Sequence, residues 1–127
     1  MNTEKQRIAI VGLGRIGSAF LRQLLERMND GIELVCVAES HDTPGRQMAQ
    51  KAGIKICSLD GVVAMGPGIH VIFDLTGLPE VRRELREKLV NSKNQETVIA
   101  SESIARVIWA LISDGNLPMI AGRPTGY

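Results

Sequence analysis

Residues 8–20 read IAIVGLGRIGSAF, an apolar run that passes through three glycines into a pattern of helical spacing. The spacing G-x-G-x-x-G predicts a strand, a phosphate-binding loop and a helix. Gly12 allows a sharp turn off the strand, Gly14 leaves room for a pyrophosphate beside the backbone, and Gly17 lets the helix pack closely on the sheet. The first amides of such a helix have no intrahelical partner and attract a phosphate. Because the chain has 13 glycines, this motif needs support from the rest of the sequence.

The composition is that of one ordinary globular domain. The chain has 127 residues, of which 44% are hydrophobic, and this is enough for one buried core. We expect a nucleotide-binding domain over residues 1–114. Residues 115–127 contain prolines and glycines without periodicity, which predicts an irregular tail or linker.

The charge balance argues against several classes of partner. Fifteen Lys and Arg residues stand against 14 Asp and Glu residues, so no broad positive field predicts binding to nucleic acid or to an anionic membrane. No apolar run approaches the roughly 20 residues of a membrane span. Residues 1–7 are polar, unlike a signal peptide. We therefore expect a cytoplasmic protein with no nucleic-acid or membrane partner.

Apolar periodicity predicts five strands with helices between them. Strands are expected near residues 8–11, 32–38, 54–59, 69–75 and 97–100. Helices are expected over residues 15–28, 43–53 and 102–113, and a further helix is expected to open at Pro79 with Val81, Leu85 and Leu89 in one apolar stripe. A helical turn and a loop are expected in residues 60–68. This alternation predicts an α/β fold of Rossmann type, a doubly wound parallel sheet of about five strands in the order 3-2-1-4-5.

Glu39 ends the second predicted strand, 22 residues after Gly17. In this fold an acid about 20 residues beyond the glycine loop accepts hydrogen bonds from the adenosine ribose. The loop and Glu39 together predict a dinucleotide site. A carboxylate there repels a 2′-phosphate and favours NAD over NADP, although the nearby Arg15 and Arg46 could each reach a phosphate. The alternative is a solvated strand end and a tight turn without a ligand.

The segment Asp74-Leu75-Thr76-Gly77 follows the fourth predicted strand, across the switch point from the glycine loop. Open α/β sheets bind ligands at this place. Thr76 is a candidate contact for the nicotinamide-side ribose or phosphate, and Gly77 leaves space for the ligand. Capping of the helix that begins at Pro79 is an equally good interpretation of both residues. Ser101, after the fifth strand, is likewise a candidate either for reaching the nicotinamide or for capping the helix that follows it.

No residue pattern identifies a catalytic group. His41 follows Glu39 in a loop and is expected at the surface or near the adenine, whereas His70 begins a strand and is expected to be structural. Cys36 and Cys57 form no C-x-x-C motif, so we expect buried reduced thiols and neither a metal site nor a redox pair. A nucleophilic Cys57 would need a base or a cation that the nearby sequence does not supply.

The last predicted helix is apolar around most of its circumference between Ile104 and Ile112. One face of a sheet cannot cover so broad a surface. We therefore expect a second copy of the chain, as in a homodimer, or a further domain to pack against this helix.

Three segments resemble the NAD-binding domain of the homoserine dehydrogenase-like superfamily, which includes dihydrodipicolinate reductase, aspartate dehydrogenase and acylating acetaldehyde dehydrogenase. They are IAIVGLGRIGSAF, then ELVCVAES with the later PGRQMAQKAGI, and then HVIFDLTG, and the likeness runs through most of residues 7–112. The resemblance implies an NAD(P)-binding module of an oxidoreductase. It implies a pyrophosphate above Gly12, Gly14, Arg15, Ile16 and Gly17, an adenosine ribose at Glu39, and a nicotinamide half beside Thr76 and Gly77.

Enzymes of this superfamily carry their catalytic lysine, histidine or cysteine on a second domain. The sequence has no second block of residues long enough to form a substrate pocket, so we expect a module that does not catalyse hydride transfer alone. The segments FDLTGLPEV and ARVIWALI are also similar to Rossmann-like modules of bacterial sensor kinases. That likeness implies a non-catalytic sensor of NAD, NADH or another adenine nucleotide as the alternative function.

Overall fold

The structure is a computed structural model, and it describes residues 5–28 and 31–112. The tail predicted over residues 115–127 lies outside the described residues and stays a prediction. The elements are β1 (Gln6–Val11), α1 (Arg15–Glu26), β2 (Ile32–Ala38), α2 (Pro44–Lys51), β3 (Lys55–Ile56), α3 (Leu59–Ala64), β4 (Val71–Asp74), α4 (Pro79–Asn91), β5 (Val98–Ala100) and α5 (Glu102–Ile112), with a 3-10 turn at Gly66–Gly68 between α3 and β4.

The five strands form one parallel sheet in the order β3-β2-β1-β4-β5. This confirms the predicted doubly wound fold. From β1 the chain proceeds outward to β2 and β3, and it then returns to β4 on the other side of β1. The reversal opens a crevice at the carboxyl ends of β1 and β4, where such sheets bind ligands.

Helices cover both faces of the sheet and bury two apolar layers. Phe20 of α1, Ala49 of α2 and Ala105 of α5 belong to one layer. Val62 of α3 and Leu85 of α4 belong to the other. The central strands are therefore apolar on both sides, as continuous β-branched runs predict. None of the described helices is long and apolar enough to cross a membrane.

Side-chain caps determine where the two short helices begin. Thr43 accepts a hydrogen bond of 3.1 Å from the Arg46 amide at the start of α2, as the sequence predicts. Ser58 accepts one of 3.1 Å from the Gly61 amide at the start of α3. This second cap corrects the predicted third strand. Because Ser58 begins a helix, β3 occupies Lys55–Ile56 and not residues 54–59.

The fourth strand is also shorter than residues 69–75, and His70 lies just before it. The ladder nevertheless continues through this residue, because the His70 amide donates to the Arg7 carbonyl at 2.7 Å and the His70 carbonyl accepts from the Val98 amide at 3.0 Å. His70 Nδ1 also accepts a hydrogen bond of 2.9 Å from the Arg7 amide. These contacts fit the predicted structural role of His70, at the amino end of β4.

Candidate functional site

A cavity of about 690 Å³ opens at the carboxyl ends of the central strands. Its volume lies within the range of roughly 300–1,000 Å³ that is usual for small-molecule sites. Gly17 and Gly77 are absent from its lining, whereas the other six predicted contact residues take part in it. These six are Gly12, Gly14, Arg15, Ile16, Glu39 and Thr76.

Gly12 lies where the glycine loop contacts the turn after β4. Its φ of 98° lies in the region that favours glycine. A Cβ at this position would lie 2.9 Å from both the Cγ2 and the amide nitrogen of Thr76. The absence of a side chain therefore allows the ends of β1 and β4 to meet at the floor of the cavity.

Gly14 and Gly17 serve different purposes. A Cβ at Gly17 would lie 1.9 Å from the Gly12 carbonyl oxygen, so glycine is required for the close approach of α1 to the loop. A Cβ at Gly14 would meet no atom within 4 Å in the described part of the chain, its two chain neighbours aside. Gly14 is exposed and lines the cavity, so this is the position where a bound group can approach the backbone.

The amino end of α1 faces the same cavity. The helix begins after Gly14 with no side-chain cap and no acidic residue in its first turn. The first amides of a helix have no intrahelical acceptor, and the helix dipole adds partial positive charge to them. An anion such as a phosphate is the group that this arrangement stabilises.

Glu39 presents a fixed carboxylate at the end of β2. Its Oε1 accepts a hydrogen bond of 2.6 Å from the Leu13 amide, and its Oε2 accepts one of 3.1 Å from the His41 amide. The Glu39 side chain is 12% exposed. A carboxylate has about four acceptor positions, so lone pairs remain for two vicinal hydroxyl groups. The spacing of Glu39 from the glycine loop in the sequence indicated this proximity.

Arg46 brings a positive charge to the same end of the cavity. Its Nε is buried and has no hydrogen-bond partner within the described part of the chain. Arg15 also lines the cavity and is exposed. His41 lines it as well, but the His41 side chain is 85% exposed, in agreement with the predicted surface position.

Thr76 and Ser101 follow β4 and β5, where each is a candidate either for a helix cap or for a ligand contact. The N-cap of α4 is Leu78, and neither Thr76 nor Gly77 has that position. The Thr76 hydroxyl does accept a hydrogen bond of 3.1 Å from the Leu78 amide, so it stabilises the turn that leads into the helix. The Ser101 carbonyl accepts from the amides of Ile104 and Ala105 at 3.1 and 3.3 Å. Ser101 is absent from the cavity lining, in contrast to Thr76.

The structure brings together two cysteines that the sequence left apart. Cys36 is fully buried in β2, and Cys57, at the cavity wall, packs against the same apolar layer. Burial, reinforced by the neighbouring Cys57 thiol, raises the pKa of Cys36 to about 12. Both cysteines are free. In residues 5–28 and 31–112, no group of three His, Cys, Asp or Glu side chains could hold a metal ion.

The sheet order, the uncapped helix behind a glycine loop and the acid at the end of β2 define a dinucleotide-binding domain of Rossmann type. The sequence comparison agrees with this class, because the family model described as an oxidoreductase family with an NAD-binding Rossmann fold matches residues 6–100. The chain belongs to this family. The NAD(P)-binding oxidoreductase domain inferred from the sequence is thereby confirmed.

Solved structures share the fold at low sequence identity. The homoserine dehydrogenase of S. aureus at pH 7.5 is 14% identical with a TM-score of 0.60, and the match covers 80% of this chain and 26% of that one. The apo scyllo-inositol dehydrogenase of Lactobacillus casei is 17% identical with a TM-score of 0.61, over 87% of this chain and 35% of that one. Among curated proteins, none matches the sequence significantly. By the coverages of the two solved structures, the chain spans about a quarter to a third of the length of these two enzymes.

Proposed function

We propose that this chain binds NAD, in preference to NADP, as the cofactor-binding part of an oxidoreductase. The pyrophosphate would lie against the glycine loop and the first amides of α1, and the adenosine ribose would lie at Glu39. The observation that carries this proposal is the hydrogen bond of 2.6 Å between the Leu13 amide and the Glu39 carboxylate. It fixes an acid beside the loop, where the ribose hydroxyls of a dinucleotide lie in this fold.

The preference for NAD follows from the charge at the adenosine end. The Glu39 carboxylate accepts hydrogen bonds from ribose hydroxyls and repels a 2′-phosphate. Arg46 acts in the opposite direction, because its buried Nε has no partner in the described residues and a phosphate would supply one. We give Glu39 the larger weight, since two backbone amides hold its carboxylate in place.

We also propose that hydride transfer needs a second domain or a partner. The dinucleotide itself supplies the hydride chemistry, while protein groups must orient a substrate against it. The cavity wall contains Cys57 and the exposed His41. His41 Nδ1 lies 3.2 Å from the Ser40 hydroxyl and 3.4 Å from Glu39 Oε2, which places the imidazole at the proposed adenosine end and away from the nicotinamide. Free thiols at Cys36 and Cys57 and a dinucleotide ligand suit a cytoplasmic location.

An apolar stripe on α5 supports a partner of this kind. Ile104, Val107 and Leu111 are 49%, 58% and 80% exposed, and their spacing places them along one side of the helix. A second copy of the chain or a second domain would cover them. The same stripe also favours the alternative function, a nucleotide sensor that changes its contacts on ligand binding.

Calorimetric titration of the chain with NAD, NADH, NADPH and AMP tests the proposal. We expect NAD and NADH to bind, NADPH to bind more weakly, and AMP to bind through the adenosine end alone. Tighter binding of NADPH than of NADH would overturn the cofactor preference. Absence of binding by all four at millimolar concentration would overturn both the oxidoreductase and the sensor interpretation.

A further inference from the structure

A buried carboxylate fixes the turn after β4. Asp74 has 0% exposed surface. Its Oδ1 accepts a hydrogen bond of 2.8 Å from the Thr76 hydroxyl and one of 3.2 Å from the Thr76 amide. Its Oδ2 accepts one of 3.2 Å from Arg82 Nε in α4. Both oxygens are therefore engaged by the protein itself.

The hydrogen bond to Asp74 uses the single proton of the Thr76 hydroxyl. A hydroxyl has one proton and two lone pairs. The proton is given to Asp74, and one lone pair accepts from the Leu78 amide at 3.1 Å. Thr76 therefore has no hydroxyl proton left to donate to a ligand.

The same network determines how the turn meets the glycine loop. Asp74 pairs with Val11 in the sheet, and the Leu75 amide donates to the Val11 carbonyl at 2.8 Å. One residue later, Thr76 lies against Gly12 so closely that a Cβ on Gly12 would be 2.9 Å from Thr76 Cγ2. A displacement of Thr76 would therefore change the floor of the cavity between β1 and β4.

We propose that Asp74 and Arg82 are positioning residues for the nicotinamide half of the dinucleotide. They hold Thr76 against Gly12, and the Thr76 hydroxyl serves this network without recognising the ligand. The inference rests on the proposed function. Glu39 lies on the β2 side of β1 and fixes the adenosine half there, so the remaining half of the ligand crosses toward β4.

Stability alone is a poor explanation for this ion pair. The Asp74 carboxylate loses its hydration on burial, and a partly exposed arginine offsets only part of that cost. The Arg82 side chain is 34% exposed and absent from the cavity lining. Its effect on a ligand must therefore pass through Asp74 and the turn.

Titrations of NAD and AMP into variants of the full chain test the inference, with circular dichroism to verify folding. Arg82→Gln removes the ion pair without altering Thr76, and Thr76→Val removes the hydroxyl. We expect each variant to bind NAD about tenfold more weakly, since a buried acceptor loses its partner, and to bind AMP within about twofold of the wild type. Arg82→Lys should recover part of the NAD affinity. Thr76→Ser, which keeps the hydroxyl, should stay within about threefold.

Arg86→Gln is the matched control, because Arg86 is an exposed arginine one turn further along α4 and should leave both affinities unchanged. Three results would overturn the inference. The first is unchanged NAD affinity in Arg82→Gln with a loss in Thr76→Val, which would show that the hydroxyl binds the ligand directly. The second is an equal loss of NAD and AMP, and the third is unchanged NAD affinity in both variants. If the wild type binds neither ligand, the failure lies in the proposed function, and the inference fails with it.

Discussion

The Leu13 amide donates a hydrogen bond of 2.6 Å to Glu39 Oε1, across 26 residues of sequence. This contact joins the glycine loop, at the end of β1, to the end of β2. It places a carboxylate next to the uncapped amino end of α1, so one small region offers hydrogen-bond donors to phosphates and acceptors to hydroxyl groups. A dinucleotide has both kinds of group, in its pyrophosphate and its ribose hydroxyls.

Replacement of Glu39 by glutamine tests the ribose contact. The amide keeps one acceptor but loses the negative charge, so we expect NAD to bind about tenfold more weakly, the effect of losing a charge-assisted hydrogen bond. NADPH should lose less affinity, because the repulsion of its 2′-phosphate disappears as well. Calorimetric titration with both dinucleotides measures the difference. Glu33→Gln, at an exposed position of β2, is the control, and equal losses for NAD and NADPH in Glu39→Gln would contradict the assignment.

Replacement of Gly17 by alanine tests the packing of α1 on the loop. A Cβ there would lie 1.9 Å from a backbone oxygen, so the helix must shift. We expect the free energy of unfolding to fall by about 1–3 kcal/mol, as for other overpacked sites, measured by urea denaturation. Gly68→Ala is the control, since among the described residues only its chain neighbours would lie within 4 Å of the added Cβ. Wild-type stability in Gly17→Ala would show that the loop and α1 are further apart.

Replacement of Arg46 by glutamine tests the positive charge that acts against Glu39 in the choice between NAD and NADP. A guanidinium near the adenosine ribose would attract a 2′-phosphate. We therefore expect NADPH affinity to fall by about fivefold to tenfold, while NAD affinity stays within about twofold. A larger loss for NAD than for NADPH would place Arg46 at another part of the ligand. Gln50→Ala, at an exposed position of α2, is a suitable control on the same helix.

The raised pKa of Cys36 predicts a decline of stability in alkali. In the unfolded chain this thiol ionises near its ordinary pKa of 9.0, whereas burial moves the folded-state pKa to about 12. Between these values the folded state holds the extra proton. The contribution of Cys36 to the free energy of unfolding is therefore fully present below pH 9.0. Above that pH it falls by up to about 1.4 kcal/mol per pH unit.

Urea denaturation of the wild type and Cys36→Ala at neutral and alkaline pH measures this contribution. Other groups titrate in alkali in both proteins, so the quantity to follow is the difference in unfolding free energy between them. We expect the advantage of the wild type over Cys36→Ala to shrink as the pH rises. A difference that is independent of pH would show that the Cys36 thiol ionises normally.

The sheet order and the glycine loop could be predicted because their signals are local and repeated. Five apolar runs alternate with helical patterns, and connection rules then leave few topologies. The boundary between β3 and α3 could not be predicted, because the apolar run from Ile54 to Leu59 suits either element. The capping hydrogen bond from the Gly61 amide to Ser58 ends that ambiguity in favour of the helix.

At the site, spacing alone predicted that Glu39 would lie near the loop. Contacts between separate elements were harder to predict. The approach of Cys57 to Cys36 depends on the pairing of β2 with β3. The ion pair between Asp74 and Arg82 depends on the angle at which α4 leaves the turn. The burial of Arg46 Nε, away from any hydrogen-bond partner among the described residues, likewise depends on how separate elements pack.

The most direct test of the account is an NAD titration of the wild type and Gly14→Val, followed by calorimetry. Apart from its chain neighbours, no atom of the described residues lies within 4 Å of a Cβ at Gly14, so a valine side chain has room there and would fill the space proposed for the pyrophosphate, with circular dichroism to verify that the variant folds. We expect NAD binding by the wild type and none by the folded Gly14→Val. Equal NAD affinity in the two proteins would show that the glycine loop is not the binding site.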